Sequence, residues 1–223
     1  ATPLTLPMNV QLITKQGEQG ELPLSIPAER IGDQVTAAGI PFAIAKDGKN
    51  ALRLASQTLT LKKDTRRLAL LLSADSNRIL DFTVGGKTVP CSVLSRTRRF
   101  ASWDLYDLHE TAHIQEGQLG YVSTHSHNAD GTDAIAKELY FYILILNVQG
   151  GDTVVLPRDE ETLVLAATEL NTVAVPCATP LYDRVEDRPF DYTMRLGDKL
   201  RYLRMKLPWY MGDKGRYFSC YNR

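Results

Sequence analysis

Residues 79–94 read ILDFTVGGKTVPCSVL, two β-rich arms around Gly85-Gly86. A glycine pair takes the positive backbone angles of a primed two-residue turn without a side-chain penalty, so the stretch predicts a tight hairpin. Just before it, RRLALLLSAD (66–75) is a continuous apolar run closed by turn residues, and ELYFYILILNV (138–148) is another. Runs of this length suit strands buried on both faces, with a helical reading still open for the first. ALRLASQTLTL (51–61) alternates, with Leu52, Leu54, Leu59 and Leu61 in period-two pairs. DTVVLP (152–157) and TLVLAATEL (162–170) read as two further short strands, separated by the charged turn RDEE.

With GIPFAIA (39–45) and LGYVSTHS (119–126), the count is about nine strands spaced roughly 8–15 residues apart. Few stretches before residue 190 have helical periodicity. The expected fold is all-β: two packed antiparallel sheets in a sandwich, jelly-roll or galactose-binding-like. This domain is expected to span 1–183. Residues 184–223 form a separate basic tail, with ten basic and five acidic side chains, expected to pack on the sandwich. There Leu196, Leu200, Leu203 and Leu207 follow the spacing of an amphipathic helix, interrupted by Gly197, with strand pairs as the alternative. Pro176, Pro180 and Pro189 mark 176–190 as a connection.

The totals narrow the function classes. Lys+Arg and Asp+Glu balance at 26 each, so no nucleic-acid partner is implied, and the excess in the tail reads as a solvated face. No apolar run reaches the eighteen or so residues of a spanning helix, so no membrane partner is expected. The N-terminal ATPLTLPMNV shows no charged segment followed by an apolar core, and thus no visible signal peptide; a cleaved one would leave the same pattern. Cys91, Cys177 and Cys220 lack the paired spacing of a zinc motif.

Chemistry is sparse. The glycine pairs at 85–86 and 150–151 have no following helix and read as turns, not phosphate loops. There is no G-x-S-x-G and no H-E-x-x-H motif. Acidic pairs occur at Asp104 with Asp107, Asp130 with Asp133, and Glu160 with Glu161, and a glycosidase needs two carboxylates across a cleft.

In GYVSTHSHNADGTDA (120–134), His125 and His127 are two apart, so on a strand they share a face. The loop is not an EF-hand, and zinc needs a third nitrogen or sulfur ligand that the sequence does not identify. The favoured reading is two hydrogen-bonded histidines at a strand end before an Asx-rich turn, ahead of a ligand contact and then a metal. No metal or cofactor is therefore expected. Trp103, with Asp104 and Tyr106 beside it in RRFASWDLYDLHE, is a candidate sugar-stacking face. A tryptophan packed in the core is the competing reading.

The order of these pieces carries a resemblance. GIPFAI (39–44), KNALRLASQTLTL (49–61), LALLLSAD (68–75), FTVGGK (82–87), WDLYD (103–107), GYVSTHSHN (120–128), LYFYILIL (139–146), VVLPRDEETLVLAATE (154–169) and TPLYD (179–183) occur in succession. Over roughly residues 20–183 this resembles the C-terminal β-sandwich region of bacterial family-38, α-mannosidase-like glycoside hydrolases. The resemblance implies a non-catalytic accessory domain packed on an α/β barrel of the same protein. It also favours a periplasmic or extracellular setting. In that family the zinc and the aspartate nucleophile belong to the barrel, which has no counterpart here, so no catalytic residue is carried over. The glycan-contacting candidates are Trp103, Asp104, Tyr106, His125 and His127. An independent lectin-like carbohydrate-binding module is one alternative, and a small glycoside-processing enzyme built on an acidic pair is another.

Overall fold

The two arms of the glycine hairpin pair as the sequence predicts. Arg78–Val84 runs antiparallel to Lys87–Val93, with Val84 opposite Lys87. Gly85 and Gly86 close the turn with φ of 53° and 80°, the left-handed region that favours glycine. Pro90 lies on the outer strand of the sheet, where its missing N–H interrupts no ladder. These strands come from a computed structural model, which describes residues 1–98, 101–103, 112–114 and 117–172, with 101–103 and 112–114 as backbone. The expected tail and the connection at 176–190 lie outside the described residues.

The described residues are all-β, with a principal sheet of six strands. Its path runs Thr2–Leu4, Arg158–Leu170, Arg67–Ser73, Tyr140–Asn147 and Gln118–Val122, and Leu52–Ala55 also pairs with Arg158–Leu170. Every pairing in it is antiparallel. A four-stranded sheet carries the hairpin and continues through Thr153–Val155 to Thr58–Thr60. A smaller sheet holds Asp133–Ala134, Ser126–Asn128, Leu24–Pro27 and Ile13–Thr14, the last pair parallel. Gln34–Ala37 and Ile40–Ala43 form a separate hairpin.

The continuous apolar runs are explained by burial on both faces of the principal sheet. Leu68, Leu70 and Leu72 pack with Phe82, Val93 and Val154 of the four-stranded sheet. Their alternates Ala69 and Leu71 pack on the other side with Phe42, Ile26 and Phe141. At about 1.5–3 kcal/mol for each fully buried Leu or Phe, these two cores hold the layers together. The long strand Arg158–Leu170 changes face part-way. Val164 pairs with Leu72 and Ala166 with Leu71, leaving Leu165 as the extra residue of a bulge. Leu165 and Ala166 consequently both join the second core.

Three segment readings are corrected. ALRLASQTLTL is two strands in two sheets, broken at Ser56, whose φ is 61°. LGYVSTHS is also divided: Gln118–Val122 stays in the principal sheet, and Ser126–Asn128 crosses to the small one. RDEE is not a turn but the start of the strand Arg158–Leu170. Its charges are tolerated there because Arg78 donates to Asp159 at 2.8 Å and also bonds Glu161. Among the described residues no helix is long and apolar enough to cross a membrane.

Candidate functional site

The histidine stretch builds its site on the small sheet. Ser126–Asn128 is an inner strand there, with His127 opposite Ser25 on one side and opposite Asp133 on the other. Directly opposed residues share a face, so Ser25, His127 and Asp133 form one cross-strand row. The parallel partner strand adds Thr14. This region is anchored by Asn50, which is fully buried. Its Oδ1 accepts the backbone N–H groups of Leu12 and Ile13, both at 2.8 Å. Its Nδ2 donates to the carbonyl of Ile13 at 2.8 Å and to that of Lys46 at 3.2 Å. One side chain thus satisfies the backbone of the segment that delivers Thr14.

His127 is 0% exposed. Its Nδ1 lies 3.0 Å from Thr14 Oγ1, which lies 2.7 Å from Ser25 Oγ. The Ser25 hydroxyl donates to the carbonyl of His127 at 3.5 Å, a long contact. Two directions fit these contacts: His127 Nδ1–H donating to Thr14, Thr14 to Ser25 and Ser25 to the carbonyl of His127, or the reverse, with Ser25 donating to Thr14 and Thr14 to Nδ1. The other ring nitrogen, Nε2, is buried and makes no hydrogen bond. Glu29 Oε1 at 3.3 Å and Asp133 Oδ1 at 3.6 Å stand before it. These two carboxylate side chains are 43% and 40% exposed, so the row runs from a sealed ring to solvent.

His125 precedes the strand. Its Nδ1 lies 3.0 Å from the Thr124 hydroxyl, and its ring centroid is 5.7 Å from that of His127 at a 59° tilt. One ligand atom each from Glu29, His125 and His127 falls within 4.8 Å of the other two. Glu29 also lines a shallow groove with Lys15, Gln16, Lys46 and Asp47.

A hydroxyl, an imidazole and a carboxylate in a row have the makings of a nucleophilic triad. Burial decides against it: Thr14 and Ser25 are 0% exposed, so no substrate reaches either oxygen. The acidic turn is likewise committed. Asp130 accepts from the Thr132 hydroxyl at 2.6 Å and from its backbone N–H at 3.0 Å. These bonds hold its carboxyl below the usual carboxylate range, the hydroxyl first. Its support of the turn is therefore present above that range and lost as pH falls through the lowered value. Glu160 and Glu161 lie in the irregular stretch between Asp159 and Leu163, and Glu161 is already bonded by Arg78.

The sequence candidates divide. His125 and His127 come together with ring centroids 5.7 Å apart, but His125 lies before the strand and not on it, so strand alternation does not account for the pair. Trp103 ends the strand Ala101–Trp103, paired with Ala112, while Asp104 and Tyr106 lie outside the described residues. Thr14, Ser25 and Glu29 went unnoticed as site residues. Nothing in the local pattern of SIPAERIGD marks Glu29, whose position depends on the pairing of Leu24–Pro27 with Ser126–Asn128.

The family of AziU2-like β-sandwich domains matches residues 1–173. The chain belongs to that family. The β-sandwich expected from the motif order is thereby supported at family level, while none of the comparisons points to the family-38 glycoside hydrolases. No curated protein matches the sequence. Among solved structures, the catalytic unit of the thermostable GH87 α-1,3-glucanase from Streptomyces thermodiastaticus strain HF3-3 is similar at 17% identity and a TM-score of 0.31. The match covers 74% of this chain and 29% of that one, and a score so low carries no argument.

Proposed function

We propose that this AziU2-like domain is a non-catalytic accessory β-sandwich that contacts a glycan. The supporting observation is the sealed Thr14–Ser25–His127 network: a hydroxyl and imidazole row with the groups of a nucleophilic catalyst is closed to substrate. The groove beside Glu29 is lined by Gln16, by Lys15 paired with Asp47 at 3.8 Å and by Lys46 paired with Asp33 at 2.9 Å, polar groups of a kind that vicinal hydroxyls can share. The stacking contact is assigned to Trp103, with Asp104 and Tyr106, on their place in the sequence motif alone, and His125 is assigned as a polar contact on its own partial exposure. A catalytic α/β barrel of the same protein is the proposed partner, and an α-mannosidase-like parent rests on the motif order alone.

Titration calorimetry of the purified chain against a panel of oligosaccharides tests this reading. A shallow platform gives dissociation constants on the order of 0.1–1 mM, or about 4–5.5 kcal/mol. Trp103→Ala is expected to abolish binding while leaving the melting temperature nearly unchanged. A large loss of melting temperature would assign Trp103 to the core instead. Turnover of aryl glycosides by the chain itself would overturn the non-catalytic reading.

A further inference from the structure

We propose that Glu29, His125 and His127 form a divalent-metal site suited to zinc, with Asp133 as an additional carboxylate at its edge. Three ligand atoms already lie within 4.8 Å of one another without an ion. Zinc bonds of about 2.0–2.2 Å in tetrahedral geometry place neighbouring ligand atoms roughly 3.3–3.6 Å apart. The His127 Nε2 to Glu29 Oε1 separation is 3.3 Å, and the separation to Asp133 Oδ1 is 3.6 Å.

The independent observation is the state of His127. Its Nε2 is buried, without a hydrogen bond, and faces two carboxylates. Nε2 stands before two carboxylate oxygens, and with Nδ1–H donated to Thr14 it is free to hold a cation between them. An imidazole whose other nitrogen is fixed by a hydrogen-bonded oxygen is also the usual form of a histidine ligand. Thr14 and Ser25 would then orient the ligand from behind. Two imidazoles with carboxylates suit zinc or a neighbouring transition metal, whereas calcium and magnesium favour all-oxygen sets. Ions can enter from the exposed Glu29 side. The inference needs no glycan and stands apart from the reading above.

The test uses the full chain, stripped with a chelator and then titrated with zinc alone. One zinc per chain is expected, with a concentration-dependent rise in melting temperature. Cobalt in place of zinc should give the intense visible bands of a four-coordinate ion. Glu29→Gln and His125→Ala alter side chains that are not buried, so both variants should fold. Each should weaken zinc binding by about tenfold or more. The absence of zinc uptake by the parent chain would overturn the proposal. Uptake undiminished in both variants would also overturn it, because the ion would then lie elsewhere.

Discussion

Asn50→Ala is expected to lower the free energy of unfolding by about 3–5 kcal/mol, an exceptional loss for one side chain. The substitution removes the acceptor of the Leu12 and Ile13 N–H groups and a donor to the Ile13 carbonyl. Leu12 and Ile13 are buried, so water cannot easily replace the missing partner. Each unsatisfied buried group costs about 1–3 kcal/mol, and partial relaxation keeps the total below their sum. The loss would consume much of the 5–15 kcal/mol typical of a folded domain. Urea unfolding should show the midpoint falling with little change in slope. Asn128→Ala is the control: its Nδ2 bonds only the Thr132 hydroxyl, on an exposed turn, and should cost under about 1 kcal/mol. Equal losses in the two variants would refute the pinning role of Asn50.

The second large effect is expected at Gly150. A Cβ placed there would lie 1.6 Å from the carbonyl oxygen of Lys63 and 2.5 Å from its carbon. Both are backbone atoms, so no side chain can swing aside, and the turn must separate from the 62–65 segment. That segment is held by hydrogen bonds from the Lys62 backbone N–H and the Thr65 hydroxyl to the buried Glu169. Gly150→Ala should therefore cost about 2–4 kcal/mol. At Gly151 an added Cβ meets nothing within 4 Å, but φ is 86°, so alanine there carries backbone strain alone, about 1 kcal/mol. The order of the two melting temperatures separates close approach from strain. A Gly151 variant less stable than the Gly150 variant would contradict the packing described here.

The sequence disclosed those features that local chemistry imposes. Gly85-Gly86 revealed its turn because little except glycine accepts two positive angles in succession. Arg67–Ser73 and Tyr140–Asn147 were legible as doubly buried strands because both faces meet a core. The break at Ser56 escaped notice because serine rarely takes a positive φ, and the leucines on either side keep their alternation. The strand character of RDEE depends on Arg78, some eighty residues away in sequence, whose guanidinium neutralises the charges. In the site, the H-x-H spacing marked His125 and His127 as a pair, although His125 lies just before the strand that carries His127. Glu29, Thr14 and Asn50 act through pairings between distant strands, and no nearby residue announces them.

The central claim is the state of zinc-loaded His127, with Nδ1 carrying the proton toward Thr14 and Nε2 turned to the ion beside Glu29 and Asp133. A long-range proton–nitrogen spectrum of the four imidazoles, assigned with a His127→Gln variant, measures it directly. The account predicts that in zinc-loaded protein His127 carries its proton on Nδ1, protected from exchange, and that zinc shifts the Nε2 resonance. A His127 signal with the proton on Nε2, unchanged by zinc, would contradict it.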